Sequence, residues 1–130
     1  METKAPDPTS AKLAPADVVR AAFAAYNRGR LDEGMRYLAP DVEWVLPGTA
    51  LHEPVLHGPA ALKRMLESEL EAFSEIRREP VELEECGERV LGVIEAFVRG
   101  RISGIELELR AGHAFTVRDG LIVRAEPLLN

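Results

Sequence analysis

The sequence predicts an α+β domain in which three N-terminal helices pack on an antiparallel sheet. Three observations point there. Helical periodicity is concentrated in the first half of the 130 residues. Period-two alternation broken by short turns fills the second half. That length suits one domain with one core. Helices and hairpins segregated along a chain argue for α+β and against a parallel α/β sheet.

The elements follow in order. Residues 1–14, rich in Pro, Ala, Thr and Ser, read as a flexible tail, and residues 15–130 as a single domain. Pro15 suits the first helical position, where its missing N–H costs nothing. Val19, Ala22, Phe23 and Tyr26 then share one helical face up to Arg28. Leu31, Met35 and Leu38 mark a short second helix that Pro40 stops. Asp41–Leu46 alternates as a strand, with Val42, Trp44 and Leu46 on one face. Pro47-Gly48 opens a loop holding His52, Glu53, Pro54 and His57.

Gly58-Pro59 begins a third helix. Leu62, Met65, Leu66, Leu70 and Phe73 form its buried stripe, and Lys63, Arg64, Glu67, Glu69 and Glu71 face water. The rest is strand-like. Val81 and Leu83 alternate with glutamates, and Pro80 marks an edge or a bulge. Cys86-Gly87 is a turn. Arg89–Arg99 is apolar on both faces, as for a strand buried twice or carrying a subunit contact. Ile105 to Val117 is the next strand, Asp119-Gly120 is a tight hairpin turn, and Leu121–Leu129 is the last strand.

The totals exclude several function classes. A net charge of −6 argues against nucleic acid, whose phosphates require clustered Lys and Arg. The lone cysteine, Cys86, sits among glutamates that disfavour its thiolate, and one cysteine cannot build a disulfide or a cysteine-based zinc site. No apolar run is long enough to span a membrane, nor is there an apolar segment of the secretory kind near the start. A cytoplasmic protein follows by default. No Gly-rich phosphate loop or metal-spaced histidine cluster is present, so neither cofactor nor metal is expected.

Four segments carry a family resemblance. They are Ala22-Ala-Phe-Ala-Ala-Tyr-Asn-Arg-Gly-Arg-Leu-Asp, Leu38-Ala-Pro-Asp-Val-Glu-Trp, His57-Gly58-Pro59, and Gly112-His-Ala-Phe-Thr-Val-Arg-Asp-Gly-Leu-Ile-Val-Arg-Ala-Glu. In this order, Val18–Leu129 resembles a SnoaL-like domain of the nuclear transport factor 2-like superfamily, whose fold is also described as cystatin-like. The resemblance implies a bent sheet closing on the helices like a cone, a hollow for a small hydrophobic ligand, and a homodimer through the outer sheet face. The family includes ketosteroid isomerases, polyketide cyclases, epoxide hydrolases and pure binders, so the fold alone does not fix the function.

The catalytic patterns of those relatives are not matched. The ketosteroid isomerase tyrosine, base and protonated acid fall near Ala22, Leu46 and His113. The epoxide hydrolase Asp-Arg-Asp cluster falls at Ile94, Ala96 and Pro127, with Trp44 and Leu46 at the helper positions, and none of these can activate water.

What remains is an apolar pocket. Alternation and the resemblance together place Trp44, Leu46, Ile94, Ala96, Val98, Phe115, Val117, Ala125 and Pro127 on its sheet wall, with Phe23 over it and His52 at the mouth. His113 is the candidate acid or base, and Tyr26 the candidate assistant. Two classes of function fit. One is a binder of a cyclic ketone, steroid- or polyketide-like, with or without cofactor-free isomerase or cyclase chemistry. The other is a non-catalytic dimeric or protein-interaction module with a filled pocket. Leu91, Val93 and Phe97 are the apolar residues expected on its outer face.

Overall fold

A computed structural model describes residues 13–47 and 54–128. The expected tail lies outside them except for Leu13 and Ala14, as does His52. Helix α1 (Pro15–Asn27) lays Val18, Val19, Ala22, Phe23 and Ala25 on the sheet as a buried stripe. Ala14 gives it no side-chain cap. Instead, the Ala16 N–H donates to the Glu85 carboxylate, 2.9 Å away and 69 residues on, which serves one of the orphan donors of the first turn.

Helix α2 is one short turn (Leu31–Met35), and strand β1 runs Leu38–Val45. Leu38 and Pro40 therefore belong to the strand, not to the end of the helix. Pro40 is tolerated because the β1 register is interrupted between Leu38 and Glu43, where no ladder bond is asked of it. The expected loop before His57 contains a three-residue strand, β2 (Val55–His57), antiparallel to β1. Helix α3 (Pro59–Ala72) buries Leu62 and Leu66, while Leu70 is 44% exposed. The apolar stripe is thus narrower than expected.

Four long strands complete the sheet: β3 (Phe73–Cys86), β4 (Arg89–Gly100), β5 (Glu106–Arg118) and β6 (Leu121–Pro127). The order is β2-β1-β6-β5-β4-β3. The sheet is curved and does not close, and it is mixed: β1 runs parallel to β6. These two strands are not joined by a turn, so the hairpin rule that makes the rest antiparallel does not bind them. Pro80 sits on the edge strand β3, which bulges between Val81 and Glu84. Asp119 and Gly120, with φ of 55° and 77°, make the two-residue reversal whose twist suits a hairpin.

The core fills the end of the sheet beneath α1. Phe115, Ile122, Val42 and Val90 are fully buried there; truncating Phe115 to alanine costs about 3–5 kcal/mol at such a site. The outer face is charged and cross-linked. Arg99 meets Glu75 and Glu106 at 2.9 and 2.8 Å, and Arg110 meets Glu82 and Glu95. Phe97 lies between the guanidinium groups of Arg77 and Arg99, 5.4 and 5.5 Å from its ring centre. Among the described residues, no helix is long and apolar enough to cross a membrane.

Candidate functional site

Past the buried core, the helices and the sheet diverge and leave a cavity of about 460 Å³. Alternation decides which strand residues reach it. Ile94, Ala96 and Val98 on β4 stand opposite Ala111, Leu109 and Leu107 on β5, all on the inner face. Trp44, Leu46, Phe23, Tyr26 and His113 complete much of the wall, and α3 adds Leu62, Met65 and Leu66.

The expected site residues therefore divide. Phe23, Tyr26, Trp44, Leu46, Ile94, Ala96, Val98 and His113 come together around the cavity. Phe115, Val117, Ala125 and Pro127 are not on its wall. Phe115 and Ala125 are fully buried, and Phe115 packs edge-on against Phe23 and Trp44, at 5.8 and 6.1 Å. Phe115 thus supports the wall from beneath. Pro127 pairs with His113 across β5 and β6.

Two buried polar atoms in this apolar setting, the Tyr26 hydroxyl and His113 Nδ1, have no partner among the described residues. Burial holds the Tyr26 phenol well above its usual range, so it stays protonated. The ring is fixed by Phe23, edge-on at 5.5 Å, and by Gly34. A Cβ at position 34 would come within 2.3 Å of the Tyr26 ring, so only glycine admits it.

His113 stacks on Phe115 at 5.9 Å. Desolvation lowers its pKa, the nearby polar backbone of Ala111 opposes the shift, and the Arg78 cation adds to it. The imidazole is therefore neutral at physiological pH. Its cross-strand neighbour is Gly92, and a Cβ there would meet Leu83 at 2.4 Å. The bulged edge strand leans into that gap.

One polar pair on the wall escaped the sequence reading. Arg78 on β3 and Glu69 on α3 form a two-pronged ion pair at 2.9 and 2.7 Å. Glu69, expected in water, is thus half-buried on the cavity wall. Asn27, at the end of α1, holds the Arg78 backbone from the open edge: its side chain donates to the carbonyl at 2.7 Å and accepts from the N–H at 2.9 Å. Arg78 shares an inner-face register with Ile76 and Pro80, opposite Val98, Ala96 and Ile94. That alternation was the available signal. Among the described residues, no three His, Cys, Asp or Glu side chains converge as a metal site requires.

The comparisons agree with this architecture. No curated, characterised protein is close enough in sequence to count as a match. Among solved structures, TerC, crystallised with polyporic acid, is 26% identical, with 90% of this chain and 92% of that one covered and a TM-score of 0.76. A nuclear transport factor 2-like protein from Burkholderia xenovorans LB400 is 31% identical, covering 89% and 88%, with a TM-score of 0.73. IdmH from Streptomyces antibioticus, a proposed polyketide cyclase, shares the fold at 22% identity, covering 89% and 91%, with a TM-score of 0.77. The sequence profile of the SnoaL-like domain matches residues 19–125. With these residues, this sheet and these helices, the chain belongs to the SnoaL-like domain family.

Proposed function

We propose that the cavity binds a small, largely apolar cyclic compound carrying a carbonyl or hydroxyl oxygen, with Tyr26 and His113 as its polar contacts. The observation that carries this is the pair of buried, unpartnered polar atoms on residues of an otherwise mostly apolar wall. Such groups cost free energy until something pairs with them, and an apolar cavity with a few convergent polar groups is the usual form of a small-molecule site. The likeness to TerC, crystallised with polyporic acid, supports a small organic ligand.

The two groups also suit cofactor-free acid–base chemistry. A phenol that stays protonated can donate to a ligand carbonyl, and a neutral imidazole can take a proton from the adjacent carbon. The product of that step is an enol or enolate held by Tyr26, the start of an isomerisation or a cyclisation.

Thermal shifts with steroids, aromatic polyketides, terpenoid ketones and fatty acids test the binding. A ligand at a hundredfold excess over its dissociation constant adds about 2.7 kcal/mol of stability. A rise confined to one class supports the proposal, and no rise across the panel removes it. Solvent deuterium exchange beside the carbonyl of a hit tests the chemistry: exchange by the wild type that His113→Phe abolishes is expected. Equal exchange by both would take the base role from His113.

A further inference from the structure

Glu69 and Arg78 set two full charges into a cavity wall that is otherwise mostly apolar. Packing alone does not ask for them there. Taking two charges out of water is expensive, and apolar residues of similar volume often serve the fold as well or better. The neighbours of Arg78 across β4 are residues of that kind: Ala96 lies directly opposite, with Val98 and Ile94 on either side along the inner face. The pair is still within reach of a ligand, since the Arg78 and Glu69 side chains are 31% and 20% exposed.

A guanidinium offers five N–H donors and accepts nothing. Glu69 takes two of them, Oε1 from Nη1 at 2.9 Å and Oε2 from Nη2 at 2.7 Å. This end-on grip leaves the Nε–H and one hydrogen on each terminal nitrogen, none of which has a partner among the described residues. The Nε–H and the Nη2–H beside it make a second fork of the spacing a carboxylate needs. Other arginines of this sheet hold two carboxylates each. Arg99 takes Glu75 and Glu106, Arg110 takes Glu82 and Glu95, and Arg124 takes Glu43 and Glu126. Arg78 holds one among the described residues, and its side chain lines the cavity.

We propose that the second carboxylate belongs to the ligand, an apolar cyclic acid that docks on the free edge of Arg78 while its carbonyl or hydroxyl oxygen meets Tyr26 and His113. The inference rests on the ligand-binding proposal above and narrows it to anions. On β4, Ala96 stands opposite Arg78 and Gly92 opposite His113. Those two positions are about 13 Å apart along the strand, so a molecule that meets both groups has a body of linked or fused rings. Arg78 and His113 also feel each other across the hollow, because the Arg78 cation is one of the causes that keep the imidazole neutral. Glu69 fixes the guanidinium and balances its charge while the cavity is empty.

Calorimetric titration with naphthoate and para-benzoylbenzoate, each beside its primary amide, tests the inference. The amides keep the rings and lose the charge. The wild type should bind each acid about tenfold or more tightly than its amide, the scale of a charge-assisted hydrogen bond. In Glu69→Gln, which removes a competing anion, the preference should widen. In the double variant Arg78→Met with Glu69→Leu it should vanish. That variant strands neither charge, and Asn27 still holds the strand because it bonds the backbone of residue 78. The acid-to-amide ratio is taken within each protein, so a general change in affinity cancels. Equal binding of acid and amide by the wild type overturns the role of Arg78 and leaves the ligand-binding proposal standing. A preference that narrows in Glu69→Gln, or survives the double variant, does the same. So does binding of neither acid nor amide when a neutral compound of the thermal-shift panel binds. No binding by any compound removes both proposals.

Discussion

Replacing Tyr26 by phenylalanine removes one buried oxygen and keeps the ring, so it should act in opposite directions on the free and the loaded protein. In the free protein the hydroxyl is buried without a partner among the described residues, whereas buried tyrosine hydroxyls normally find one. A buried unsatisfied group costs about 1–3 kcal/mol. The ring's contacts with Phe23 and Gly34 survive the change, so Tyr26→Phe should stabilise the free protein by about 1 kcal/mol or more. For a chain of this length that raises Tm by about 3–5 °C per kcal/mol. With ligand present the same oxygen makes a hydrogen bond of about 0.5–1.5 kcal/mol, so affinity should fall about 2- to 13-fold. Urea melts of the free protein and titrations of a thermal-shift hit measure the two arms. Destabilisation of the free variant by about 1 kcal/mol would refute the reasoning, because the hydroxyl would then already have a partner.

Other outcomes follow from the same geometry. Because burial depresses the His113 pKa, the unfolded chain takes up a proton below about pH 6.5 that the folded chain refuses. The stability this residue contributes is complete above that pH and is lost as pH falls toward the depressed value, at up to about 1.4 kcal/mol per pH unit. Urea melts between about pH 7 and 5 should therefore show a shallower decline for His113→Phe; an unchanged slope would mean that the ring is not buried neutral. Gly34→Ala forces a methyl to within 2.3 Å of the Tyr26 ring. It should weaken ligand binding more than Tyr26→Phe does, although alanine favours a helix by about 1 kcal/mol; affinity equal to wild type would show that the ring's position is unimportant. Asn27→Ala breaks both bonds to the Arg78 backbone and should cost about 1–3 kcal/mol. Hydrogen exchange should rise first around residues 76–80, and uniform loss of protection would argue against a local clamp.

Much of the fold was legible because face is written in period. The spacing of Val19, Ala22, Phe23 and Tyr26 gave the first helix, and the alternation around Trp44, Ala96 and His113 gave the inner face. Depth is not written there. Phe115 and Ala125 share the inner face with His113 and Trp44, yet they lie where α1 has already filled the space. Only the placement of the helices separates the packed end from the hollow one. Val55–His57 escaped because three residues carry too little alternation to stand out from a loop. The Glu69–Arg78 pair escaped for a different reason. A glutamate on a helix reads as a solvent residue until the facing strand supplies a cation, and that pairing is long-range.

The most direct test of the ligand-binding account is calorimetric titration of the best thermal-shift hit into the wild type and into Ala96→Trp. Ala96 lies on the cavity wall, so an indole there would occupy the space proposed for the ligand, and a melting curve confirms that the variant folds. The expected result is one site per chain in the wild type and at least a hundredfold weaker binding, about 2.7 kcal/mol, in the variant. Equal affinity in the two proteins would contradict the account, because the ligand would then bind outside the cavity.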